Sequence, residues 1–119
     1  MRPHHDLRVW QEAMELVADV YAASRTFPAD ERFGLSRQSR RAAVSVPSNI
    51  AEGAARGSRK EFIQFLMIAR GSLSELDTQL RIAKNLEFAA NIDSLLSATE
   101  RLQAALGALV ESQRDRLAK

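Results

Sequence analysis

Cysteine is absent from the 119 residues, so disulfides and thiolate-bound metals are excluded and a reducing, cytoplasmic location is the expectation. Proline occurs three times, always before residue 48, and glycine five times, too little punctuation for the many turns of an all-β fold. Charge interrupts the apolar residues every few positions, so no stretch is suited to spanning a bilayer and no membrane partner is expected. The opening MRPHHDLRVW puts charge and two histidines where a signal peptide needs an apolar run. His4 and His5 are the only histidines and, adjacent on an end expected to be flexible, form at best an adventitious metal site. Di-metal four-helix proteins require Glu-x-x-His pairs, and Glu12, Glu61 and Glu100 all lack the histidine three residues on. No phosphate-binding loop, dinucleotide fingerprint or nucleophile triad is recognisable. The expectation is a non-enzymatic protein without cofactor or metal, folded as one domain over residues 1–119.

Four amphipathic patterns follow one another. Trp10, Ala13, Met14, Val17, Val20, Tyr21 and Ser24 recur at steps of three and four, with Arg8, Glu12, Glu15, Asp19 and Ala22 opposite. They predict a helix over about 7–27 that Pro28 ends. Leu35, Ser39, Ala42, Ala43, Val46, Ile50 and Ala54 predict a second over about 33–56, whose small side chains allow neighbours to approach closely. Pro47 lies in its middle, lacks an N–H and opposes the carbonyl of Ala43, at a cost of about 3 kcal/mol in a helix interior. The apolar spacing stays in phase across it, which favours one proline-kinked helix over two short ones, with Ser45, Ser48 or water serving the freed carbonyl.

Gly57 suits a left-handed C-terminal cap, and Ser58 with Glu61 three residues later forms a capping box opening a third helix, over about 59–86. Its stripe is Phe62, Phe65, Leu66, Ala69, Ser72, Leu73, Leu76, Leu80 and Ala83. Asn91 is the expected N-cap of a fourth helix, over about 92–113, with Ile92, Leu95, Leu96, Thr99, Leu102, Leu106, Leu109 and Val110 facing inward and a charged tail that should fray. Short connections make this an all-α, antiparallel up-down-up-down four-helix bundle. Ile63, Met67, Ile68 and Ile82 exceed what one bundle face requires, and Gly71 leaves a notch beside them. Surplus apolar surface of this kind marks a partner face, and a homo-oligomer is the simplest reading.

Charge is distributed unevenly. Residues Arg32 to Lys60 hold seven basic side chains and one acid, Glu52, whereas the remaining ninety residues carry a net charge of −4. Arg37, Arg40 and Arg41 fall on one helix face; Arg56, Arg59 and Lys60 gather at the turn between the second and third helices, about 25 Å away or more along the helix. Cations gathered this way are a footprint for a polyanion, RNA or DNA, read through its phosphates and without base specificity. The only aromatics near them, Phe33 and Phe62, are expected in the core, which argues against stacking of single-stranded bases.

The words Asp6-Leu7-Arg8-Val9-Trp10-Gln11, Gly34-Leu35 with Gln38, Arg40 and Arg41, Ser45-Val46-Pro47, Asn49-Ile50-Ala51-Glu52-Gly53, and Phe65-Leu66 through Gly71-Ser72-Leu73 to Glu75-Leu76 carry a family resemblance. The chain resembles the bacterial four-helix-bundle proteins first noticed as reading frames within intervening sequences of 23S ribosomal RNA genes, the S23-like proteins. It is similar also to the accessory proteins of diversity-generating retroelements. The resemblance covers about residues 6–86 and implies a ring-like homopentamer; among the retroelement relatives it implies a basic nucleic-acid-binding surface and a docked protein partner.

The leading expectation is thus a homo-oligomeric nucleic-acid-binding or scaffolding module using Arg37, Arg40, Arg41, Arg56, Arg59 and Lys60. The alternative is a self-assembling, protein-docking module whose arginines form salt bridges between subunits. Four further polar residues are read as structural: Asn49 serving freed backbone groups, Glu52 holding Arg56 at i+4, Ser72 bonding a preceding carbonyl, and Glu75 bridging helices.

Overall fold

The computed structural model describes residues 3–119 and contains, among them, four α-helices and no strand. They are α1 (Arg8–Ser24), α2 (Leu35–Ala55), α3 (Arg59–Asn85) and α4 (Ile92–Ala118), preceded by a 3₁₀ turn at Pro3–Asp6 and with a second at Ala29–Glu31. Neighbours in sequence are neighbours in space: α2 packs on α1 and α3, and α4 closes the ring between α3 and α1. Residue pairs joining the helices run in opposite order along them. Ser24 meets Arg40 while Trp10 shares a groove with Ala51; Ser45 meets Ser72 while Gly53 meets Phe65; Arg70 meets Gln103 while Arg59 meets Gln113. Consecutive helices therefore run antiparallel in a four-helix bundle 50 Å long.

The interior is filled by Leu66, Ala69, Leu73, Leu76, Leu80 and Ala83 of α3 against Ala42, Ala43, Val46 and Ile50 of α2, with Ile92, Leu102, Leu106 and Val110 of α4 completing it. Full burial of a leucine such as Leu73 is worth roughly 1.5–3 kcal/mol relative to exposure. On α1 the buried residues are Val9, Ala13, Leu16, Val20 and Ser24; Ala13, Val20 and Ser24 are as expected, and Val9 and Leu16 correct the rest of the expected stripe. Trp10, Val17 and Tyr21 are only half-buried and Met14 is exposed, because these four lie on an adjoining stripe that flanks α2 instead of facing the centre.

α2 continues without interruption through buried Pro47. The hydroxyl of Ser45 is not spent on the carbonyl of Ala43; it pairs with the Ser72 hydroxyl of α3 at 2.8 Å and accepts from Asn49 Nδ2 at 2.9 Å. Asn49 Nδ2 also donates to the Ser45 carbonyl at 2.8 Å. Ser72 thus bonds across to α2 and not to a preceding carbonyl, another departure from expectation. Glu75 departs too: its carboxylate accepts from Gln79 Nε2 on its own helix at 3.2 Å instead of bridging helices.

Helix ends show how much of the local chemistry is realised. Ser58 Oγ accepts from the Glu61 N–H at 3.2 Å, the first half of a capping box, but the Glu61 carboxylate leans towards Arg56 at 3.8 Å. Gly57 has φ +78°, the left-handed conformation that ends α2. Asn91 occupies the N-cap position of α4 but makes no side-chain capping bond, and α4 extends to Ala118, five residues beyond its expected end. After α3, Glu87 takes a positive φ of 58°, the Phe88 N–H bonds the Ala83 carbonyl at 2.9 Å, and the Phe88 ring packs 5.8 Å from that of Phe27. This is a Schellman ending built without glycine. At the other end, His4 and His5 are not loose: both rings lie about 5 Å from Trp10, and Gln11 donates to the His5 carbonyl.

Candidate nucleic-acid interface

The connection from α1 to α2 is short and heavily hydrogen-bonded. The Glu31 N–H bonds the Pro28 carbonyl, the Arg32 N–H bonds Ala29, and the Gly34 N–H bonds Glu31. The Glu31 carboxylate then accepts from the Leu35 N–H at 3.0 Å, satisfying one of the free donors that start α2. Phe33 is thereby held out on a structured link and remains 71% exposed, with the Arg32 guanidinium 4.6 Å from its ring centroid. The expectation that Phe33 belongs to the core is overturned, because Phe27 and Leu35 take the buried places at either end of this link.

Arg40 points back across to α1. Its Nε donates to Ser24 Oγ at 2.7 Å, Ser24 Oγ donates to the Tyr21 carbonyl, and the guanidinium lies 4.7 Å from the Tyr21 ring centroid. The side chain is half-buried and its charge has a defined position. A cation over an aromatic face is worth about 0.5–2 kcal/mol, more when partly desolvated as here. Arg37 and Arg41, on the next exposed turns, have no carboxylate within 4 Å among the described residues. Tyr21, Arg32, Phe33, Arg37, Arg40, Arg41 and Val44 together line a groove of ≈ 550 Å³ in which no acidic residue takes part.

The second expected group does not join this one. Arg56, though exposed, is flanked by Glu52 at 3.0 Å, Glu61 at 3.8 Å and the Phe65 ring at 5.1 Å, and Arg59 donates to Gln113 of α4 at 2.7 Å. Only Lys60 of that group is exposed without such a partner. These residues sit past the far end of α2, so the cations form one open cluster at the α1–α2 turn and a separate one at the α2–α3 turn, in which Arg56 is ion-paired and Arg59 is hydrogen-bonded to an uncharged amide. A larger concavity, ≈ 930 Å³ at the α3–α4 turn, carries Asp19 and Glu87 against Lys84 and Arg101, and these charges balance. Among the described residues no group of three or more metal-ligating side chains exists, and no helix is long and apolar enough to cross a membrane.

Tyr21 and Phe33 are the residues of this groove that reading the sequence missed. Tyr21 sits on an apolar stripe indistinguishable from a core face, and Phe33 is a large apolar residue beside a glycine. The one usable signal was Arg32 next to Phe33 in a segment short of acids.

The fold and the groove define a class: a small all-α bundle with an open cationic, aromatic-edged surface at one end. Residues 5–108 match the family described as 23S rRNA-intervening sequence protein, and the chain belongs to that family. The bundle is also similar to the crystal structure of a protein of unknown function from the S23 ribosomal protein family of Bacteroides thetaiotaomicron. The TM-score is 0.80 at 21% identity, covering 86% of this chain and 97% of that one; at that identity the likeness is one of fold. No curated protein matches the chain.

Proposed function

We propose that this protein is a non-enzymatic nucleic-acid-binding module that works as a homo-oligomer and contacts phosphates through the groove at the α1–α2 turn. The observation that carries this reading is Arg37 and Arg41 standing unpaired beside an Arg40 fixed in position, in a groove lined by no acid. Arginines present planar donor forks suited to phosphate oxygens, and the order imposed on Arg40 lowers the entropy lost on binding. The family's name, which refers to an intervening sequence of 23S rRNA, is consistent with an RNA ligand. Arg56 and Arg59 belong to the scaffold on this view, since Arg56 is ion-paired with Glu52 and Arg59 donates to Gln113 of α4.

Self-assembly is supported by a separate observation. Met67, Ile68 and Ile82 are 41–51% exposed on the outer side of α3, and a Cβ added at Gly71 on the same side meets nothing within 4 Å. An apolar strip with a notch fits a second copy of the chain, and the resemblance favours five subunits.

The test is a salt titration of RNA and duplex DNA binding by fluorescence anisotropy, comparing the wild type with Arg37→Ala/Arg41→Ala. Arg40 is left intact because its loss would also remove a contact between α1 and α2. Two phosphate contacts removed per site should lower the slope of log K against log salt by about 1.4–1.8. Smaller species by light scattering with unchanged nucleic-acid affinity would instead assign these arginines to subunit contacts.

A further inference from the structure

We infer that the groove takes a single-stranded segment of nucleic acid, with an unpaired base stacked on Phe33 and the neighbouring phosphates on Arg37 and Arg41; this rests on the phosphate-binding reading above. A ring that is 71% exposed costs hydration free energy unless something covers it, and Phe33 is the most exposed large apolar side chain among the described residues. It is also not adrift. The hydrogen bonds through Glu31, Arg32 and Gly34 hold its backbone, and the Glu31 carboxylate locks the link onto the start of α2. A stacking platform needs this combination of open face and fixed mount.

The surroundings select the partner. The groove below the ring holds Arg37, Arg40 and Arg41 and no carboxylate, so an acidic, planar-ringed ligand is favoured over an apolar one. Arg37 and Arg41 are one turn apart, about 6 Å along the axis, comparable with the separation of neighbouring phosphates on one strand. Inside a duplex both faces of each base are covered by the adjacent pairs, so Phe33 would meet only sugar and groove edges there. In a single strand a base face is free, and stacking tolerates any base because each has a π-face. Arg32, 4.6 Å from the ring centroid, is placed to add a cation to the stack or to a phosphate beside it. Preference for strandedness without preference for sequence is the expected outcome.

The experiment compares short oligonucleotides of one sequence as single-stranded RNA, single-stranded DNA and the matching duplexes at one salt concentration, with wild type, Phe33→Ala and Phe33→Tyr. The wild type should bind single strands more tightly than duplex. Phe33→Ala should weaken single-strand binding by roughly 5- to 100-fold, leave duplex binding and both salt slopes unchanged, and be rescued by Phe33→Tyr. Because the side chain is exposed, unchanged circular dichroism is expected for both variants. Equal affinity for duplex and single strand, with no effect of Phe33→Ala, overturns the inference and leaves the phosphate interface standing. Dissociation of the oligomer by Phe33→Ala also overturns it, since the ring is then buried between subunits. Absence of binding to every nucleic acid removes this inference together with the function it rests on.

Discussion

Gly53 lies at a close approach of α2 to α3, and replacing it with alanine tests the packing directly. A Cβ at Gly53 would sit 2.6 Å from Phe65 Cβ, 3.2 Å from Phe62 Cδ1 and 3.4 Å from the Phe62 carbonyl oxygen. Carbon atoms in good contact are about 3.5–4.0 Å apart, so the helices must part by about 1 Å. The obstructing atom is anchored to the α3 backbone and cannot swing away as a side-chain tip would. Overpacking of this kind costs about 1–3 kcal/mol, and the rigid obstacle places Gly53→Ala towards the upper end. Alanine's better helix propensity offsets about 1 kcal/mol of that. The net expectation is a loss of about 1–2 kcal/mol. Within one protomer Gly71→Ala supplies the opposite sign: an added Cβ there meets nothing within 4 Å, so the propensity gain of about 0.5–1 kcal/mol is expected at protomer concentrations low enough to keep the notch free of a second copy. Both are read by urea unfolding followed by far-UV circular dichroism at matched protomer concentration, since assembly shifts apparent stability. A Gly53→Ala protein as stable as the wild type, or more so, would refute the close approach of α2 and α3.

Leu73 is wholly buried at the centre of α3, and Leu73→Ala should destabilise by about 2–5 kcal/mol, measured as a lower urea midpoint with an unchanged m-value. Glu87, held at φ 58°, carries a left-handed backbone that costs an L-residue roughly 1–2 kcal/mol, so Glu87→Gly should raise the urea midpoint by up to about 1 kcal/mol in stability; a fall would show that its side chain holds the turn.

Local signals mark the breaks on either side of α2. Pro28 and the Gly57-Ser58 pair act within a few residues of themselves, so the breaks around α2 could be read without knowing what packs against it. The face of α1 was harder. Val9, Ala13, Leu16 and Val20 form one stripe, and Trp10, Met14, Val17 and Tyr21 form another displaced by a single residue. Both have helical spacing. Periodicity gives angles around one helix axis but not the direction of the bundle centre. Asn91 failed as a side-chain cap for a related reason, since residue type makes a cap possible without supplying its geometry.

The candidate site divides in the same way. That residues Arg32 to Lys60 are cationic, and that the chain is four amphipathic helices, were determined by the sequence alone, because charge and helical period are properties of adjacent residues. Tertiary structure decided which cations stay open. Arg40 is placed by Ser24 and Tyr21 of α1, Arg59 by Gln113 of α4, and Arg56 by a phenylalanine and a glutamate across the next turn. It also decided that Phe33 faces solvent, because Phe27 and Leu35 fill the interior on either side of it. Pairing and exposure depend on what a distant segment brings within a few ångströms, and that information exists only once the helices have packed.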